Sequence, residues 1–203
     1  MTTTSDDSYS IALLADHIPG PKQGYWTYDE YAALPDDGKR YEIMNGVLIM
    51  TPAPEPDHQS VMLLIAHYLL QAVQFKGLGR VLPAPVDVRL TSDRVVQPDV
   101  LVVLNANLHK IGKKYIAGSP DLVVEIASPG TALYDRLSKF EAYEQAGVPE
   151  YWIVHPQNKT VEVLVLEEGG YQSLGIFADK DTLPSRVAPG IADVLVEQFF
   201  LAA

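Results

Sequence analysis

The chain has no cysteine. That excludes disulfides, thiolate zinc sites and cysteine nucleophiles together, and it is compatible with the reducing cytoplasm in which the protein is expected to work. Basic residues are scarce: 15 Lys and Arg stand against 26 Asp and Glu, a formal net charge of −11. Proteins that coat a phosphate backbone usually carry the opposite balance, because counterion release by basic groups drives that binding. Tight, non-specific nucleic-acid binding by a monomer is therefore disfavoured. Local recognition stays open, since net charge says nothing about distribution. Long apolar runs are missing as well. The longest stretch without Asp, Glu, Lys or Arg, His58–Phe75, contains Gln59, Ser60, His67, Gln71 and Gln74, so it reads as a core helix with a wet edge and no membrane span is expected. The opening MTTTSDDSYS is acidic and polar where a signal peptide would be basic. There is no Walker loop, no Gly-x-Ser-x-Gly elbow, no Rossmann fingerprint and no His pair with zinc spacing.

What is present is ample for a core: 203 residues, 47% of them apolar. Residues 1–23 are polar and then marked by Pro19, Gly20 and Pro21, and read as a flexible N-terminal arm before a single domain over 24–203. Thr27-Tyr28-Asp29-Glu30 has the form of a capping box and predicts a short helix ending near Leu34-Pro35. In Tyr41–Met50, Asn45-Gly46 separates two β-prone runs and predicts a two-residue hairpin, with Met44 opposite Val47 and Glu42 opposite Ile49. A helix of about twenty residues is expected from Asp57 toward Lys76, stopped by Gly77 and Gly79. Strands are predicted at Val86–Leu90, Pro98–Leu104 and Leu122–Ala127, then a second helix from Ser128-Pro129-Gly130-Thr131 to Gly147. Further strands are expected at Tyr151–Val154, Thr160–Leu166 and around Tyr171–Phe177, with a short helix or strand in Ile191–Leu201. The order predicts an α/β or α+β domain whose mixed central sheet is flanked by helices and preceded by a β-hairpin.

Three acids sit where acids are costly. Glu125 lies in the aliphatic run Leu122–Ala127, Asp99 lies between Pro98 and Val100–Leu104, and Glu42 lies on an apolar hairpin face. Each needs a partner, either a basic side chain or backbone amides on one reading, or a shared divalent cation on the other. Asp135, Lys139 and Tyr143 recur at steps of four and share one helix face, with Leu133, Leu137 and Phe140 expected to hold the opposite face against the sheet. That face is either a solvated Asp–Lys pair or one from which Lys139 reaches over Glu125. His58 opens the long helix as a solvated residue or a substrate contact. His67 is expected in the core, and His17, His109 and His155 in arms or loops.

The succession ALPDDGKRYEIMNG (33–46), GRVLPAPVDVRL (79–90), VVQPDVLVV (95–103), SPDLVVEIASPGT (119–131) and DRLSKFEAYEQAGVPEYWIV (135–154) resembles the Uma-type family of restriction endonucleases within the PD-(D/E)XK nuclease superfamily. The likeness covers roughly residues 25–175. It implies a restriction-endonuclease-like core and a divalent-metal-dependent endonuclease acting on DNA phosphodiesters, with Mg²⁺ or Mn²⁺ as cofactor. Asp99 and Glu125 would be metal ligands, Glu42 a further carboxylate and the Ile126 carbonyl an additional ligand. The superfamily's usual lysine, two residues after the glutamate, is replaced here by Ala127. The resemblance implies that Lys139 takes its place from the helix, oriented by Asp135 and Tyr143, with His58 near the substrate. A homodimer is expected for cutting two strands. The alternative is a nuclease-derived nucleic-acid-binding or regulatory module without turnover, which Ala127 and the acidic charge favour.

Overall fold

The computed structural model describes residues 13–128 and 134–200. In chain order the elements are β1 (Leu13–Leu14), α1 (Tyr28–Tyr31), β2 (Arg40–Met44), β3 (Val47–Thr51), α2 (Pro56–Leu69), β4 (Gly79–Pro83), β5 (Val88–Thr91), β6 (Arg94–Val96), β7 (Val100–Leu104), β8 (Ile116–Ala117), β9 (Leu122–Ile126), α3 (Tyr134–Ala146), β10 (Glu150–His155), β11 (Thr160–Glu167) and β12 (Gly170–Ala178). The expected α+β architecture is present, divided between two six-stranded sheets. The main sheet runs β12-β11-β10-β9-β7-β4, in which only β9 and β10 pair in parallel. The smaller sheet runs β1-β3-β2-β6-β5-β8 and contains the hairpin. Among the described residues no helix is long and apolar enough to cross a membrane.

The hairpin forms as its turn chemistry requires. Asn45 and Gly46 take φ of 52° and 74°, and Glu42 pairs with Ile49 and Met44 with Val47. A Cβ on Gly46 would meet the Gly24 carbonyl, so only glycine fits there. The Thr27 amide donates to the Glu30 carboxylate at 3.0 Å, as the capping box predicts. Residues 13–23, read as arm from composition, are tied to the small sheet: Leu13 and Leu14 pair with Met50 and Ile49, and Ala15 is buried.

The aliphatic runs are buried on both faces, as continuous rather than alternating hydrophobicity requires. Val100, Val102, Leu122, Val124 and Ile126 pack beneath α2 against Ile65, Leu69 and Val73. Leu101, Val103 and Val123 face the other way, toward Tyr143 of α3 and Met44 and Ile49 of the hairpin. By alternation Glu125 leaves β9 on that second side. The long helix is α-helical only to Leu69, and Leu70–Gln74 continues it as a π-helical turn before Gly77 at φ 70°. The tail forms two 3₁₀ turns, Pro189–Asp193 and Val196–Phe200. The expected helix start at Pro129-Gly130-Thr131, and Leu133, lie outside the described residues.

Two packing expectations are corrected. His67 is exposed and shares a hydrogen bond with Gln71, because α2 buries the stripe Val61-Ile65-Leu69 and turns His67 outward. On α3, Leu137 is 59% exposed while Tyr143 is fully buried. The Lys139–Tyr143 face thus turns inward, where Glu125 needs donors and Tyr143 packs edge-on against Tyr151.

One buried acid has a purely structural role. Glu150, fully buried, accepts from the Trp152 indole at 2.7 Å and from the backbone amides of Arg186 and Val187 at 2.7 and 3.0 Å. Glu150→Ala strands three donors, each worth about 1–3 kcal/mol when left unsatisfied. Urea unfolding should register a loss of about 3 kcal/mol or more, equal in EDTA and in Mn²⁺. A near-neutral result would show that water replaces the carboxylate.

Candidate active site

The three acids singled out by the sequence converge at one end of the main sheet. Asp99 immediately precedes β7 and Glu125 is next to last on β9. The link between them is direct, since the Ile126 amide donates to Asp99 Oδ2 at 2.8 Å. Glu42 comes from β2 of the small sheet and is 5% exposed. Its Oε1 accepts from the Gln97 amide at 2.7 Å. Lys139 joins the two sheets: its Nζ lies 3.2 Å from Glu42 Oε1 and 3.1 and 3.2 Å from the two oxygens of Glu125. Tyr143, one turn further along α3, donates its hydroxyl to Glu125 Oε1 at 2.5 Å.

The sequence left the Asp–Lys–Tyr face open between a solvated pair and a lysine over Glu125. The structure places Lys139 against Glu125. Tyr143 and Lys139 share the same Glu125 oxygen, Oε1. The Asp135 side chain lies outside the described part of the structure.

His58 is a further correction. It is buried rather than solvated, and its Nε2 lies 3.1 Å from Asp99 Oδ2. The first turn of α2 brings the imidazole against the aspartate at this end of the sheet. Its Nδ1 is buried without a hydrogen-bond partner among the described residues. A cavity of about 380 Å³ opens beside this histidine, lined in part by Ala127, Ser128, Lys159 and Phe200.

Burial pushes the Glu125 carboxyl up to about 7. Lys139 opposes that rise, the charges of Asp99 and Glu42 add to it, and the Tyr143 hydroxyl again opposes it. For His58, burial favours the neutral ring, but the Asp99 hydrogen bond and charge outweigh it, so its pKa is raised. Among the described residues, three carboxylates meet one ammonium and one imidazole. Negative charge is in excess.

Among the described residues no three His, Cys, Asp or Glu side chains stand ready around one point as a metal cage. The donor chemistry nevertheless fits a hard divalent ion. Asp99, Glu125 and the Ile126 carbonyl offer oxygen at adjacent strand ends, and the excess charge is of the sign such an ion would neutralise. Ala127, where a lysine would stand, is half-buried, and its amide donates to the Val154 carbonyl at 2.8 Å.

Sequence reasoning missed Gln97. It is 8% exposed, and it supplies the amide that fixes Glu42 while its side chain bonds Arg40, Tyr31 and Asp87. The available signal was its position directly before Pro98-Asp99, which forces it into the same strand end.

A mixed sheet flanked by helices in this arrangement is the restriction-endonuclease-like fold. The similarity to solved structures is of the same kind. A crystal structure of a putative nuclease belonging to DUF820 from Anabaena variabilis ATCC 29413 superposes with a TM-score of 0.69 at 20% identity, covering 86% of this chain and 97% of that one. No curated protein matches. Residues 28–197 match the Uma2 family, described as putative restriction endonucleases, and the chain belongs to that family.

The charge balance predicts a pH effect. Glu125 has its folded pKa above the ordinary 4.5, so its contribution to stability is fully present below about 4.5 and lost as pH rises toward about 7. His58, also raised, contributes below its ordinary 6.5 and loses that contribution at higher pH. In EDTA the wild type should therefore melt at progressively lower temperature from about pH 5 to 8. Glu125→Gln should flatten the lower part of that decline and, at pH 8, be as stable as wild type or more so, because Lys139 keeps Glu42 as partner. A large loss in EDTA at pH 8 would mean that Glu125 is held as a permanent ion pair.

Proposed function

We propose that this protein is a divalent-metal-dependent endonuclease that hydrolyses DNA phosphodiesters. The observation that carries the proposal is the convergence of Asp99 and Glu125, linked through the Ile126 amide, with a lysine from α3 held between Glu125 and Glu42. Asp99, Glu125 and the Ile126 carbonyl would hold Mg²⁺ or Mn²⁺. A bound divalent ion supplies two things, a lowered pKa for water and charge neutralisation at the phosphoryl group.

The remaining work falls to the chain's own residues. Lys139, shared between Glu42 and Glu125, is held where its ammonium can face the phosphoryl oxygens or orient the attacking water. Glu42 fixes that ammonium from the second sheet and is itself fixed by the Gln97 amide. Tyr143 restricts Glu125 to one rotamer, and His58 does the same for Asp99 from the α2 side. With Ala127 at the position of the usual lysine, Lys139 brings an ammonium to this strand end from α3, consistent with a lysine migrated to the helix. Cutting both strands of a duplex is simplest with two copies related by a two-fold axis, so the active form is read as a homodimer.

The test is a cleavage assay paired with Mn²⁺ calorimetry. Asp99→Asn and Glu125→Gln should each abolish Mn²⁺ binding and cleavage. Undiminished cleavage by either variant removes that residue from the mechanism. Lys139→Ala should keep or raise metal affinity, because a competing positive charge is gone, yet slow turnover by about 10²–10⁴-fold. Ala127→Lys combined with Lys139→Ala should recover part of the rate if the two positions reach one spot. Metal binding with no cleavage of any nucleic acid by the wild type would favour a binding module without turnover.

A further inference from the structure

Arg40 stands two residues before Glu42 on β2. The two side chains therefore leave the same face of the strand, about 7 Å apart along it. Arg40 is half-buried and is held by an amide rather than by an acid. Its Nε donates to Gln97 Oε1 at 2.9 Å and its Nη2 to the Gln97 carbonyl at 3.4 Å. A guanidinium carries five N–H donors in a fixed fork, so three remain beyond these two contacts.

The placement of the neighbouring acid is informative. Asp87 accepts from Gln97 Nε2 at 2.8 Å and from the Tyr31 hydroxyl at 2.9 Å. The Gln97 amide thus stands between the guanidinium and the nearest carboxylate of its own network, using its oxygen for one and its nitrogen for the other. Among the described residues no carboxylate lies within ion-pair distance of Arg40. In a chain of net charge −11, a cation kept unneutralised beside the acidic site is what calls for a ligand. Gln97 also ties the position of Arg40 to the chemistry, since its amide holds Glu42 and the chain passes directly from it into Pro98-Asp99.

We propose that Arg40 binds a backbone phosphate of the DNA strand next to the one cleaved, with Gln97 as the residue that positions it. This rests on the nuclease reading above and deepens it. A planar fork with donors to spare matches phosphate oxygens, and its distance from Glu42 along β2 suits a neighbouring phosphate of one strand. A local cation of this kind also reconciles an acidic protein with a polyanionic substrate. The strand is gripped at a few built positions rather than by an overall field.

The experiment measures binding of a fluorescently labelled DNA single strand, and of its duplex, in EDTA across a range of salt concentrations. Wild type, Arg40→Gln and Arg40→Lys are compared, with Mn²⁺-dependent cleavage by wild type followed in parallel. Arg40→Gln should weaken binding several-fold and reduce the slope of log K against log salt by about one, the signature of one lost phosphate contact. Arg40→Lys, which keeps the charge but loses the fork onto Gln97, should retain most of that slope. Mn²⁺ affinity should be unchanged in both variants.

An unchanged slope in Arg40→Gln overturns the proposal, as does an Arg40→Lys variant indistinguishable from Arg40→Gln in slope, because a purely structural Arg40 would fail equally in both. The parallel assay separates this from the parent reading. Cleavage by wild type together with an unchanged slope defeats only the role of Arg40. Cleavage without any binding in EDTA likewise defeats only the role of Arg40, and absence of both binding and cleavage by wild type defeats both.

Discussion

One ammonium group holds the two sheets' acids together. Lys139 Nζ lies within 3.2 Å of both Glu42 and Glu125, and its side chain is only 13% exposed. A buried carboxylate without compensation costs several kcal/mol, so neither glutamate could remain at its position in a dry interface alone. The orientation of α3 follows from this. The helix could have buried Leu137 and turned Lys139 to water, as its apolar pattern invites, but it does the reverse. Tyr143 makes the reversal affordable by burying an aromatic body against Tyr151 while its hydroxyl serves Glu125.

Much of this was legible in the sequence. Asn45-Gly46 fixed the hairpin and its register, and so which face carries Glu42. The runs around Asp99 and Glu125 announced strands buried on both sides, and an acid within such a run is conspicuous. What could not be read was the direction each helix faces. Periodicity places Leu137 on a stripe with Phe140, but the helix turns so that Phe140 packs on the core beside Tyr171 while Leu137 is left to solvent and Lys139 meets Glu125. His58 illustrates the same limit: a histidine at a helix start is solvated by default, and only the tertiary approach of α2 to the Asp99 end of the sheet buries it. The division into two sheets was hidden for a related reason. The short strands β4 and β8 are specified by partners distant in sequence rather than by their own composition.

Glu150 and Glu125 show two solutions to one problem, and the contrast separates a structural acid from a candidate functional one. Both lie on neighbouring strands that pair in parallel, yet the sequence reading marked only Glu125, because Glu150 directly precedes the strand expected at Tyr151–Val154. Glu150 is satisfied by an indole and two backbone amides, donors that cannot leave without unfolding the segment around Arg186. Glu125 is satisfied by the side chains of Lys139 and Tyr143, whose ammonium and hydroxyl can exchange hydrogen-bond partners while the backbone stays in place. Its acidity is also unsettled by Asp99 and Glu42, whose charges oppose its ionisation. A carboxylate held by exchangeable donors amid excess negative charge can accept a divalent ion by redistributing those donors. One clamped by backbone amides cannot. The same distinction applies to Arg40, a cation held by an amide and so left with donors for an incoming anion.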